Sequence, residues 1–241
     1  MARMKGDSWS GGIGPVIFYE VNGQKRIRSK PDKKRKRRKE EPANAPVPAF
    51  TAVSRGGSPM INLMKEQRLF PFATDTYSKT RGWMIKHYAK YALEAEWPVC
   101  SEQTPMYQLN KACDLRNILL VTPVVKTGPD QTVIVQFPAF NPAKKLITPS
   151  TCKSAVIAVT VLYSEFKNKN DEVCFKREEF EFSTGKQELP AKEMQFSDIG
   201  NEGDTILVMM TIRFNMSTNQ DSPFLKDPAW LPAAILAMGR F

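Results

Sequence analysis

Ser154-Ala-Val-Ile-Ala-Val-Thr-Val-Leu-Tyr163 and Thr205-Ile-Leu-Val-Met-Met-Thr-Ile-Arg-Phe214 are the stretches on which the fold turns. Both are dense in β-branched and other apolar residues, the composition of strands. From Pro123 onward the pattern has a period of two, and Gln131 to Phe137, Glu172 to Phe182 and Gln187 to Phe196 read as strands beside them. Gly, Pro, Asn and Asp clusters separate the five, with no helical pattern between. That favours a mainly β fold with a C-terminal antiparallel immunoglobulin-like β-sandwich over residues 124–221. The disulfide and tryptophan hallmarks of antibody domains are absent, which leaves the wider architecture untouched. The longest apolar runs, Ala155 to Tyr163 and Ile206 to Ile212, are each less than half of the roughly 20 residues that a membrane-crossing helix needs. No transmembrane segment and no membrane partner are expected.

Upstream, the period is helical. Met84, Tyr88, Tyr91 and Ala95 follow spacings of three and four with Lys86, Lys90 and Glu94 on another face, predicting a helix from Tyr77 to Trp97. Leu109, Ala112, Cys113, Arg116, Leu119 and Leu120 predict a second from Met106 to Leu120, and Ile61 to Phe72 reads as a short helix ending before Pro71. Near the N-terminus, Pro15-Val-Ile-Phe-Tyr-Glu-Val21, Asn22-Gly23 and Gln24-Lys-Arg-Ile-Arg-Ser29 read as a β-hairpin, because Asn-Gly tolerates the positive φ angles of a type I′ turn. Gly11, Gly12 and Gly14 ahead of it read as a flexible approach. The organisation expected is therefore 1–31 glycine-rich segment and hairpin, 32–60 basic and Pro-rich loop, 61–123 helical segment, 124–221 sandwich and 222–241 apolar tail. The tail, Ser222 to Phe241, either packs back over the sandwich or docks on a neighbouring subunit.

Charge is the strongest functional signal. The first 39 residues hold 13 positive and three negative groups, which equals the net +10 of the whole chain, so residues 40–241 carry 22 of each sign. A neutral body with a cationic arm is expected, and Lys33-Lys-Arg-Lys-Arg-Arg-Lys39 followed by Pro42, Pro46 and Pro48 reads as an extended loop. The candidate nucleic-acid contacts are Lys25, Arg26, Arg28, Lys30, Lys33, Lys34, Arg35, Lys36, Arg37, Arg38 and Lys39, since closely spaced Lys and Arg neutralise phosphates and release counterions. The candidate partner contacts are Phe224, Trp230, Leu231, Ile235, Leu236 and Phe241. The run also looks like a nuclear import signal, and anionic lipid would attract it, although no amphipathic helix accompanies it.

Chemistry is thinly represented. The chain has one histidine, His87, and four widely spaced cysteines, Cys100, Cys113, Cys152 and Cys174, without a Cys-x-x-Cys pair. Reduced thiols, no cofactor and no metal are expected. Glu178, Glu179 and Glu181 beside Lys176 and Arg177 read as strand salt bridges. No P-loop, zincin or dinucleotide fingerprint is present, and no enzyme is expected. Met1-Ala-Arg-Met-Lys leads into Gly and Ser, which argues against a cleaved signal peptide. A location in the cytoplasm or in a virion-like assembly is expected.

The order of features resembles a bacterial family catalogued only as a domain of unknown function and widespread in the Bacteroidota. The resemblance lies in Gly11-Gly-Ile-Gly14, Val16-Ile-Phe-Tyr19 with Asn22-Gly23, Ile27-Arg-Ser-Lys-Pro31, Gln67-Arg-Leu-Phe70, a helix around Asn110 to Asn117, and Gly185-Lys-Gln-Glu-Leu189. It implies a fold and no activity. Members of that family usually follow the proline with a short polar turn, whereas here the basic run and a Pro-rich loop occupy that place.

Two functions from different classes follow. The first is a non-enzymatic structural or assembly protein, with a phage or mobile-element link, whose arm contacts nucleic acid without sequence specificity. It associates with copies of itself or with other subunits. The second is a protein-binding adaptor that uses the sandwich edge or the tail, with the basic loop steering association.

Overall fold

The computed structural model describes residues 3–5, 8–13, 16–21, 24–29, 49–67, 70–91, 99–102, 104–128, 130–165, 172–216 and 224–241, with side chains in the first four strands described at 16, 17, 19, 24 and 26–29. The chain divides into two units, Met1–Ala45 and Pro46–Phe241.

The first unit is an antiparallel meander of β1 (Arg3–Lys5), β2 (Ser8–Ile13), β3 (Val16–Val21) and β4 (Gln24–Ser29) in that spatial order. The expected hairpin is β3 with β4, in a register running from Val21↔Gln24 to Val16↔Ser29. Its Asn22-Gly23 turn lies outside the described residues. The glycine stretch is corrected: Gly11 and Gly12 lie within β2, paired with Phe18 and Ile17. Glycine weakens a strand through its entropy, but here pairing with β3 holds both glycines, with a large residue opposite each.

The second unit opens with α1 (Ala49–Ala52), a π-helical turn (Val53–Gly57) and α2 (Ser58–Glu66), followed by α3 (Thr76–Tyr91). Helix thus begins inside the stretch read as loop up to about Pro59. That proline sits in the first turn of α2, where a missing N–H costs nothing. At Gly57 an added Cβ would lie 2.7 Å from Val53 Cγ1 and 2.9 Å from Met84 Cε, so glycine lets the first helical segment close on α3. The part of the Tyr77 to Trp97 helix beyond residue 91 lies outside the described residues.

The predicted helix from Met106 to Leu120 is replaced by β5 (Tyr107–Gln108) and one turn, α4 (Leu115–Ile118). Three bonds to a distant part of the chain outweigh the helical spacing. The Leu109 N–H donates to the Ala233 carbonyl at 2.8 Å, and the Asn110 amide donates to the Pro228 and Leu231 carbonyls at 2.7 and 2.8 Å. The Asn110 amide oxygen accepts from the Ala112 N–H, closing an Asx turn. Asp114 then caps α4 by accepting from the Arg116 N–H.

The remaining elements are β6 (Val124–Gly128), β7 (Thr132–Phe137), α5 (Pro142–Lys145), β8 (Cys152–Ser164), β9 (Cys174–Ser183), β10 (Lys192–Phe196), β11 (Thr205–Met216) and β12 (Ala233–Arg240). They form two sheets, β10-β7-β6 and β5-β12-β11-β8-β9, in which every paired neighbour is antiparallel. In immunoglobulin lettering these are strands A, B and E against G, F, C and C′, with β5 added beyond G. The fold is a mainly β, antiparallel immunoglobulin-like sandwich, as the strand pattern predicts.

The central strands of the larger sheet, β8, β11 and β12, are buried on both faces. Ile157, Val159 and Val161 of β8 and Val208, Met210, Ile212 and Phe214 of β11 face the smaller sheet, where Val133, Val135, Phe137, Met194 and Phe196 meet them. Their alternates Leu162, Leu207 and Met209 join Val53, Met60, Ile61, Met64 and Met84 of the helical segment. Strands covered on both sides read as continuous apolar runs, which is why residues 155–163 and 206–212 lack polar interruption.

The apolar tail is β12, the strand beside β11, so the choice between packing over the sandwich and docking outside it is replaced by membership in the sheet. The register passes from Val208↔Ala237 to Met209↔Ile235, and the bulge at Leu236 turns both Leu236 and Ala237 toward the sandwich core. Ile235 and Leu236 are therefore corrected as partner contacts: they are 0% and 2% exposed within the chain's own core.

Two neighbouring truncations test this layering. Met209→Ala on the helix side and Met210→Ala on the sandwich side should each lower the unfolding free energy by about 2–5 kcal/mol in urea titrations. A strand with one wet face would show that cost at only one of the two positions.

Candidate nucleic-acid interface

In an antiparallel sheet, side chains alternate and directly paired positions share a face. The pairings Lys5↔Ser8, Arg3↔Ser10, Gly12↔Ile17, Ile17↔Arg28 and Tyr19↔Arg26 therefore collect one set of register positions. Arg3 and Lys5 occupy it on β1, Ser8, Ser10 and Gly12 on β2, Ile17, Tyr19 and Val21 on β3, and Gln24, Arg26 and Arg28 on β4. Four of these described positions are basic and none is Asp or Glu. Glu20 pairs with Lys25 at positions of the opposite face.

Where side chains are described, the face has a definite chemistry. Arg26 and Arg28 are exposed, while Ile17 and Tyr19 are half-buried. The Arg28 guanidinium lies 5.4 Å from the Tyr19 ring centroid, a cation–π contact. The Arg26 Nη2 donates to the Gln24 side-chain oxygen at 3.2 Å. A guanidinium lying over a ring keeps its in-plane N–H donors directed outward, the geometry that suits phosphate oxygens. The structure thus brings together Arg26 and Arg28 of the expected contacts and puts Lys25 at a position of the other face. Lys30 and residues 33–39 lie outside the described residues. Tyr19 is the residue that composition alone passes over. Counting by twos across a two-residue turn sets it opposite Arg26, so its signal was present in the hairpin reading.

The expected partner contacts scatter. Phe224 and Leu231 line a groove of about 410 Å³ with Phe70, Ile212, Leu225 and Pro232, and the Arg213 guanidinium lies 4.6 Å from the Phe224 ring centroid. Trp230 meets Phe214 edge-on at 6.1 Å. Phe241 donates its N–H to the Asp204 carbonyl at 3.3 Å and accepts from the Gly203 N–H at 2.8 Å. Glu179 takes Arg177 at 2.7 Å from its own strand and Arg213 at 2.5 Å from β11, so the strand charges pair along and across the sheet.

His87 belongs to an aromatic ladder. It stacks on Trp83 at 5.1 Å, and Trp83 stacks on Tyr107 at 5.0 Å. Its Nε2 lies 3.3 Å from the Thr104 hydroxyl, which donates to the Met238 carbonyl and accepts from the Met238 N–H, both at 3.1 Å. With that hydroxyl proton committed, the ring presents Nε2–H to Thr104. The four cysteines are free thiols, and burial pushes the Cys113 thiol up to about 11, far from the thiolate character of a nucleophile.

In comparisons with known proteins, no family model matches the chain, and neither a curated protein nor a solved structure matches it.

Burial, and then the charge of Lys90, hold the His87 pKa below its ordinary value. The unfolded chain takes up that proton first, so the stability is intact above about pH 6.5 and is lost as pH falls through the lower folded value. Melting temperatures should decline from about pH 7 to about pH 5, and His87→Gln should flatten the decline. An equal decline in both proteins would refute the assignment.

Proposed function

We propose that this chain is a non-enzymatic structural or assembly protein whose N-terminal basic segment contacts nucleic acid through phosphates, without sequence specificity. The observation that carries this reading is the confinement of the whole net charge to the first 39 residues. A phosphate polymer rewards such clustering, because each neutralised phosphate releases condensed counterion. A charge balance of 22 against 22 in residues 40–241 leaves the chain beyond the basic segment without a net attraction to polyanions. Among the described residues, no helix is long and apolar enough to cross a membrane. A neutral body joined to a cationic arm suits a subunit that packs with others around nucleic acid, whether copies of this chain or different proteins.

Fluorescence anisotropy with unrelated DNA and RNA oligomers across a salt series tests the reading. If residues 33–39 all contact phosphates, log affinity on duplex DNA should fall with log salt at a slope near −6, approximately. Neutralising Lys33, Lys34, Arg35, Lys36, Arg37, Arg38 and Lys39 to Ser should remove most of that slope. Weak binding with a flat slope in both proteins would reject it.

A further inference from the structure

We infer that the cationic face of the N-terminal sheet is a platform for single-stranded nucleic acid, on which a base stacks at Tyr19 while the flanking strands hold the backbone. This rests on the nucleic-acid reading above and adds a choice that the basic run cannot make. A run of Lys and Arg neutralises phosphates on a duplex and on a single strand alike. The sheet face is built differently.

Its four basic positions fall on the two outer strands, Arg3 and Lys5 on β1 and Arg26 and Arg28 on β4. The inner strands supply only uncharged positions, and the ring of Tyr19 sits among them. With neighbouring strands about 4.8 Å apart, the basic borders stand about 14 Å from each other. That leaves a neutral lane with one aromatic ring, bordered on β2 by the positions of Ser8, Ser10 and Gly12, the smallest residues of this face. A lane of this kind matches the two demands of an unpaired strand, cationic borders for its phosphates and an aromatic face for a base. A duplex has its base faces already stacked and cannot use the ring. Arg26 and Arg28 stand two residues apart, about 7 Å along β4, a stride that serves successive phosphates of an extended strand.

A cross-strand packing pair would explain Arg28 lying over Tyr19. It would not explain why every charged position of this face is basic. Glu20 stands only one residue from Tyr19, yet its register position is on the other face. The Arg28 guanidinium, 5.4 Å from the ring centroid, is itself planar and stacks with bases, so guanidinium and ring place two stacking groups side by side.

The test uses the full chain, an oligothymidine single strand and a duplex of equal length, again by anisotropy across salt. Tyr19→Ala should weaken single-strand binding about 10-fold, the effect of losing one stacked base, with the salt slope and duplex affinity unchanged. Tyr19→Phe should bind like the parent. Because Tyr19→Ala removes a half-buried ring, a second variant changes only exposed groups: Arg26→Gln with Arg28→Gln should reduce the single-strand slope by about 1.4. If these variants match the parent on the single strand while the neutralised 33–39 variant loses binding, the platform is refuted and the basic arm stands. If the parent binds neither probe with a salt slope, the nucleic-acid reading itself fails.

Discussion

The ladder between β8 and β11 is the constraint from which the rest of this structure follows. It runs without interruption from Thr205↔Ser164 to Asn215↔Ser154, and it satisfies backbone donors and acceptors that have no access to water on either face. Two strands so buried need apolar cover twice. The smaller sheet supplies one layer and the helical segment the other, with the larger sheet between the two cores. Helix, sheet and sheet are thus three layers organised around one hydrogen-bonded pair.

Strand positions were legible because they depend on short-range composition. The runs 131–137, 154–163, 172–182 and 205–214 each fall on a strand to within a few residues, and Asn-Gly correctly separates β3 from β4. The failures share a cause. The segment from Met106 to Leu120 has helical spacing, yet it is claimed by a partner far away in sequence, as β5 pairs with β12 and Asn110 bonds to the carbonyls of Pro228 and Leu231. The tail fails for the reciprocal reason: its apolarity resembles that of a docking segment, and only the vacant place beside β11 makes it a strand. Long-range pairing leaves no periodic trace at either end, so propensity yields to tertiary contact there.

The candidate interface was legible in its charge and hidden in its shape. Counting residues locates the basic segment, but charge alone does not separate Lys25 from Arg26 and Arg28. Alternation does, and the register of β3 with β4 turns a basic cluster into a face with a ring on it. The glycines of β2 misled for a physical reason. A glycine-rich stretch is flexible when unpaired, whereas in a meander pairing with β3 holds Gly11 and Gly12 in a strand.

Thr104 has a role beyond its bonds to Met238. By donating to and accepting from one residue of β12, its hydroxyl acts as a single rung of the strand that would otherwise continue β5. β12 follows the other described strands in sequence, so the outer edge of β11 stays unpaired on the ribosome until residues 233–240 have emerged. Until then the nascent chain carries a long apolar strand with one open side, the condition under which edges join to other edges. Pairing of β12 with β11, with Thr104 on its far side, covers that open edge.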